Sequence, residues 1–219
     1  MGRWILIDVV GTAAVLLLSW YLWFSRSNRR RGAAVLEWVE AACQGRGRIV
    51  QARWQASSSV LQATLRLSWR WFEDARLTIC LLPRPLPLRW LLSRWRKQEE
   101  TLTFEANMGF PPGFHMDVVR YRWAGQTTAK KSGRTRSWAI ARPSPVVLTT
   151  TGDWPVEVTP VVSALTSWRD KDFLSVRFDP FSPHFTATVG LASLPDENAA
   201  VALFGLFREL AASSSAKQH

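Results

Sequence analysis

Histidine, cysteine and tyrosine are scarce in this 219-residue chain, at three, two and two. Cys43 and Cys80 lie far apart with no C-x-x-C pair, and His115, His184 and His219 have no ligand-type company at metal-site spacing. The sequence thus supports neither a zinc site nor a disulfide framework, and both thiols are expected to be reduced and structural. A G-x-S-x-G elbow, an H-E-x-x-H pair and a Gly-rich phosphate loop are missing as well. Asp170, Asp172 and Asp179 near His184 form one acid-rich grouping, but sequence proximity alone assigns them no chemistry. No catalytic residue, metal or cofactor is assigned, and the chain is read as non-enzymatic. Acids are also few, 17 against 28 Lys and Arg, for a net charge of +11. The excess is concentrated in residues 32–142, with 18 basic residues against eight acids, whereas residues 143–219 are mildly acidic.

Against these shortages stand thirteen tryptophans and one long apolar run. Residues 4–24 read WILIDVVGTAAVLLLSWYLWF. As a helix they reach about 31 Å, the thickness of a bilayer core. Trp4 at one end and Trp20, Tyr21, Trp23 and Phe24 at the other suit the two membrane interfaces. Asp8 is the one charged residue within the run; one turn inside, it is expected to snorkel to the surface. Arg26, Arg29, Arg30 and Arg31 follow the run and only Arg3 precedes it. The positive-inside rule then places the N-terminus outside and the remaining chain in the cytoplasm. A cleaved signal peptide fits poorly, because the charge follows a long run whose exit lacks small residues. With an anchor present, anionic lipid explains the basic surface more economically than nucleic acid, which is set aside.

The expected organisation is an anchor with a basic flank (1–31), a basic β-rich region (32–142), an α+β part of the same soluble domain (143–212) and a disordered tail (213–219). Period-two alternation predicts strands at 46–56, 59–72 and 76–82. In the second, Leu61, Ala63, Leu65, Leu67, Trp69 and Trp71 alternate with polar residues that include Arg66 and Arg70. Further strands are expected at 101–108, 114–123, 137–141, 146–151, 173–178 and 184–191. Connections this short favour antiparallel pairing. Helical periodicity marks 33–43, 160–168 after a Thr159 N-cap, and 195–212. The expected fold class is α+β: one transmembrane helix, then a mainly antiparallel sheet packed by a C-terminal helix.

Residues 83–100, PRPLPLRWLLSRWRKQEE, interrupt the sheet pattern, since alternate prolines exclude a central strand. Beyond Pro87 a short helix would set Leu88, Leu91, Leu92 and Trp95 on one side and Arg89, Arg96 and Lys97 on the other, with Trp90 and Arg94 off the apolar arc. Such a basic amphipathic helix either packs its stripe on the sheet or lies on a membrane surface. Arg89, Trp90, Arg94, Trp95, Arg96 and Lys97, together with Arg26, Arg29, Arg30 and Arg31, are the candidate contacts to anionic lipid. Lys130, Lys131, Arg134 and Arg136, in a polar stretch expected to be a hairpin loop, form a second candidate basic contact. The leading functional expectation is an accessory or scaffold subunit of a membrane complex, contacting other subunits and anionic lipid. The alternative is a lipid- or lipophile-binding domain with an apolar cavity between sheet and C-terminal helix.

Overall fold

A computed structural model describes residues 2–43, 47–55, 58–68, 71–120, 135–140, 146–151 and 173–215. The chain opens with α1, Gly2–Ala42, a single helix of 41 residues and about 61 Å. The amphipathic helix expected at 33–43 is its continuation: arginine is a good helix former and no proline intervenes, so nothing in the intervening residues stops the helix. Nine strands follow among the described residues. These are β1 Gly47–Gln55, β2 Val60–Leu67, β3 Phe72–Cys80, β4 Thr101–Met108, β5 Met116–Arg120, β6 Thr135–Ile140, β7 Val146–Thr151, β8 Phe173–Phe178 and β9 Phe185–Gly190. Helix α2, Pro87–Trp95, lies between β3 and β4, and α3, Glu197–Ser215, follows a short 3-10 turn at Leu191–Ser193. The fold is α+β, with the strands in one antiparallel sheet of order β1-β2-β3-β4-β9-β8-β5-β7-β6.

Alternation decides the sheet's two faces. Leu61, Ala63, Leu65 and Leu67 on β2, Leu77 and Ile79 on β3, and Leu102, Phe104 and Ala106 on β4 are all buried. Their neighbours Thr64, Arg66 and Arg76 are exposed on the other face. The apolar face is covered by α3 and by the second half of α1, which pack on each other. Phe204 and Phe207 of α3 reach Phe104 at centroid distances of 5.5 and 5.1 Å, and Phe207 lies 5.6 Å from Phe185. On α1, Val35, Val39 and Ala42 are buried in the same core. Gly32 lets the helix sit directly on β1 and β2: a Cβ there would come 2.6 Å from the Trp54 ring and 3.2 Å from Leu61.

The strand expected over 59–72 stops short, and the next, expected at 76–82, begins four residues early. β2 ends at Leu67 and β3 starts at Phe72, with Leu65 opposite Ala75 and Arg66 opposite Asp74. The alternation runs on through Trp69 and Trp71, which conceals the reversal. Glu73 and Asp74 stand in β3 where its register against β4 is irregular. α3 extends through Ser215, into the tail expected to be disordered. The helix expected at 160–168 lies outside the described residues, as do Lys130, Lys131 and Arg134. Arg136 falls within β6, opposite Thr150, rather than in a loop.

Candidate membrane interface

Among the described residues one helix, near the N-terminus, is long and apolar enough to cross a membrane. From Ile7 to Ser19 every α1 side chain is exposed, Asp8 included, so the apolar run has no protein cover. The Trp4 side chain lies outside the described set. Tyr21 and Trp23 are exposed as well, whereas Trp20 and Phe24 are half-buried because the domain first touches α1 there.

That contact is made by the proline strap before α2. Pro83, Pro85 and Pro87 donate no N–H, and the strap turns on itself through bonds from the Arg84 N–H to the Leu82 carbonyl at 2.7 Å and from the Leu86 N–H to the Pro83 carbonyl at 3.1 Å. Trp20 Nε1 donates to the Arg84 carbonyl at 3.0 Å, and Asn28 Nδ2 donates to the Leu82 carbonyl at 3.0 Å. Three residues on, Arg31 pairs with Glu100 at 3.0 Å, and Arg84 takes the other Glu100 oxygen at 2.9 Å. Trp20, Phe24, Asn28 and Arg31 recur at helical spacing, so one face of α1 is fastened over three turns. Asn28 is 1% exposed, and its Oδ1 is buried without a hydrogen-bond partner. Arg26, Arg29 and Arg30 stay exposed around the same level of the helix.

α2 is mounted on this strap with its sides reversed relative to a helix in a soluble core. Trp90 and Ser93 face inward, Ser93 buried and the Trp90 ring 6.2 Å from that of Trp20. The apolar stripe points away from the protein: Leu88 is 84% and Trp95 81% exposed, with Leu91 and Leu92 exposed between them. Arg89 and Arg96 flank the stripe, and Arg94 stacks over the Trp90 ring at 5.8 Å. The helix ends in paired bonds from Lys97 N–H to the Arg94 carbonyl and from Gln98 N–H to the Ser93 carbonyl, with Lys97 at φ 53°. This is a Schellman closure that glycine normally occupies.

The structure thus gathers Trp20, Phe24, Trp90, Arg94, Trp95, Arg96 and Lys97, all singled out from sequence, into one region. Asn28, Arg84 and Glu100, which hold the region together, escaped sequence reasoning. The alternate prolines, which mark an irregular strap, were the available signal.

Other titratable groups lie away from this region. Asp179 accepts from Arg177 at 2.8 Å and from the Phe181 N–H at 3.0 Å, with His115 at 3.4 Å. Burial opposes its ionisation, but the Phe181 N–H, Arg177 and His115 together outweigh it and hold the carboxyl below its ordinary value. His184 Nδ1 accepts from the Met108 N–H at 3.1 Å. Burial, reinforced by Glu40, pushes the Cys43 thiol up to about 11, and burial also raises Cys80. Asp170 and Asp172 lie outside the described residues; among those described, no three His, Cys, Asp or Glu side chains are placed to hold a metal. No protein-family model matches the chain, and no curated protein sequence matches it.

Proposed function

We propose that the protein is a single-pass membrane protein whose cytoplasmic α+β domain serves as a non-enzymatic accessory or scaffold subunit of a membrane complex. One observation carries the membrane part of this reading: α2 docks through Trp90 and Ser93 and turns Leu88, Leu91, Leu92 and Trp95 outward, beside the bare apolar half of α1. An apolar stripe facing water would be costly; the same stripe sunk at the headgroup boundary is stabilising, at about 25 cal/mol per Å² removed from water. Trp20 touches the strap where the apolar run ends, so α2 lies at the depth where indoles and arginines favour the interface. The four arginines that follow the run favour a cytoplasmic domain.

The scaffold role draws on the tryptophan excess and on β1, a sheet edge whose residues are largely exposed and open to a partner. Packing speaks against the rival lipid-cavity reading, because Phe104, Phe185, Phe204 and Phe207 fill the space where such a cavity would lie.

The test is extraction from native membranes in mild detergent, capture on this chain and mass spectrometry of proteins and lipids. Stoichiometric protein partners are expected. A chain recovered alone with one defined lipid would overturn the scaffold reading. Release by alkaline carbonate, which strips peripheral proteins, would overturn the anchor.

A further inference from the structure

Between α1 and α2 runs a cleft of about 560 Å³, lined by Phe24, Leu82, Arg84, Trp90, Arg94, Lys97, Gln98 and Glu99. Three features make it more than a diffuse basic surface. It combines three cations with two aromatic faces, Phe24 and Trp90. Arg94 lies over the Trp90 ring at 5.8 Å, a contact that reduces the side-chain freedom its guanidinium has left to lose on binding. Lys97 occupies a left-handed position that costs a non-glycine residue energy, the kind of strain that collects at functional sites. Arg84 is paired with Glu100, which Arg31 also engages, but no ion pair engages Arg94 or Lys97 among the described residues, so two cations of the cleft stand against Glu99 alone.

We propose that this cleft is a site for one acidic phospholipid, resting on the membrane-anchored reading above and adding a defined ligand to it. The phosphodiester is held by Arg94 and Lys97, with the Gln98 amide within the same cleft. The acyl chains run down α1 over Leu16 and Leu17, which are exposed one turn before Trp20. Guanidinium and ammonium groups bind phosphate oxygens through charge-assisted hydrogen bonds, and the adjoining indole sits at ester depth. The cations outnumber the single carboxylate of the cleft, which favours a headgroup of net negative charge over a zwitterion.

The experiment is native mass spectrometry of the full chain in detergent, titrated with phosphatidylglycerol and separately with phosphatidylcholine. A single saturable phosphatidylglycerol, bound more tightly than phosphatidylcholine, is expected. R94Q/K97Q should weaken it about thirty-fold, while R48Q/R66Q, the same loss of charge at the far end of the sheet, should change it less than twofold. Equal weakening by both pairs, or no preference between the lipids, overturns the site. Complete displacement of phosphatidylglycerol by 10 mM inorganic phosphate shows a free-anion site and overturns the lipid assignment. An unchanged thermal midpoint for R94Q/K97Q is expected, since both side chains are exposed. Failure of these results in a chain that resists carbonate extraction removes the lipid site alone, whereas release by carbonate removes the anchored reading with it.

Discussion

α2 and α3 carry the same kind of apolar stripe and meet opposite fates. In α3, Ala200, Leu203, Phe204, Phe207 and Leu210 are buried on the sheet, whereas in α2 the stripe Leu88, Leu91, Leu92 and Trp95 is exposed. Periodicity records that a helix has an apolar side; it does not record what covers that side. The difference lies in the rest of each helix. α3 pairs its stripe with small residues and Arg208 beside Glu209, a mixed-charge face suited to water. α2 ends its stripe in Trp95 and surrounds it with Arg89, Arg94 and Arg96 and no acid, which suits the edge of a bilayer.

The comparison can be broken most sharply in the core. Phe207→Ala should cost about 3–5 kcal/mol, read as a lower unfolding midpoint in detergent, because the ring is fully buried among Phe104, Phe185 and Phe204. Next in size, Gly32→Ala should destabilise by about 1–3 kcal/mol, since the new methyl meets the Trp54 ring and the seat of α1 on the sheet must shift. At the end of α2 the sign reverses. Lys97→Gly relieves a left-handed lysine and should stabilise by about 1 kcal/mol in the same assay, while weakening retention of acidic lipid. The smallest energetic effect falls in the stripe itself. Leu91→Cys should shift stability by less than about 0.5 kcal/mol, yet its thiol should react quickly with maleimide in micelles and be shielded in liposomes. Native Cys43 should react slowly in both: with the thiol at about 11, only about one molecule in ten thousand is thiolate at pH 7, and burial blocks access. Equal labelling of Leu91→Cys in micelles and liposomes would place α2 in water.

Much of this was legible in the residues. The strands announced themselves through alternation, and the fold class follows from strands dominating between two helices. The β2–β3 reversal was hidden because Trp69 and Trp71 keep the rhythm across it. The unbroken α1 was hidden for another reason: residues 25–32 look like a linker by charge, but only proline or an uncapped glycine run would end the helix. The alternate prolines mark the strap but not its partners: Asn28 meets the Leu82 carbonyl across 54 positions, and Arg31 of α1 meets the same Glu100 that Arg84 reaches from 16 positions away.

The continuity of α1 has a mechanical consequence. A domain on a flexible tether would report nothing about the bilayer, but on the anchored reading the same rod that lies in lipid also forms part of the core. The stretch from Asn28 to Cys43 extends about 23 Å, so a 10° change in tilt would move its far end by about 4 Å. Tilt answers to membrane thickness. The strap bonds of Trp20 and Asn28, with the bridge from Arg31, resist bending at the point where rod meets domain. On the anchored reading proposed above, a change in helix tilt would therefore turn the sheet with the helix, and a partner seated on the free edge of β1 would move with it.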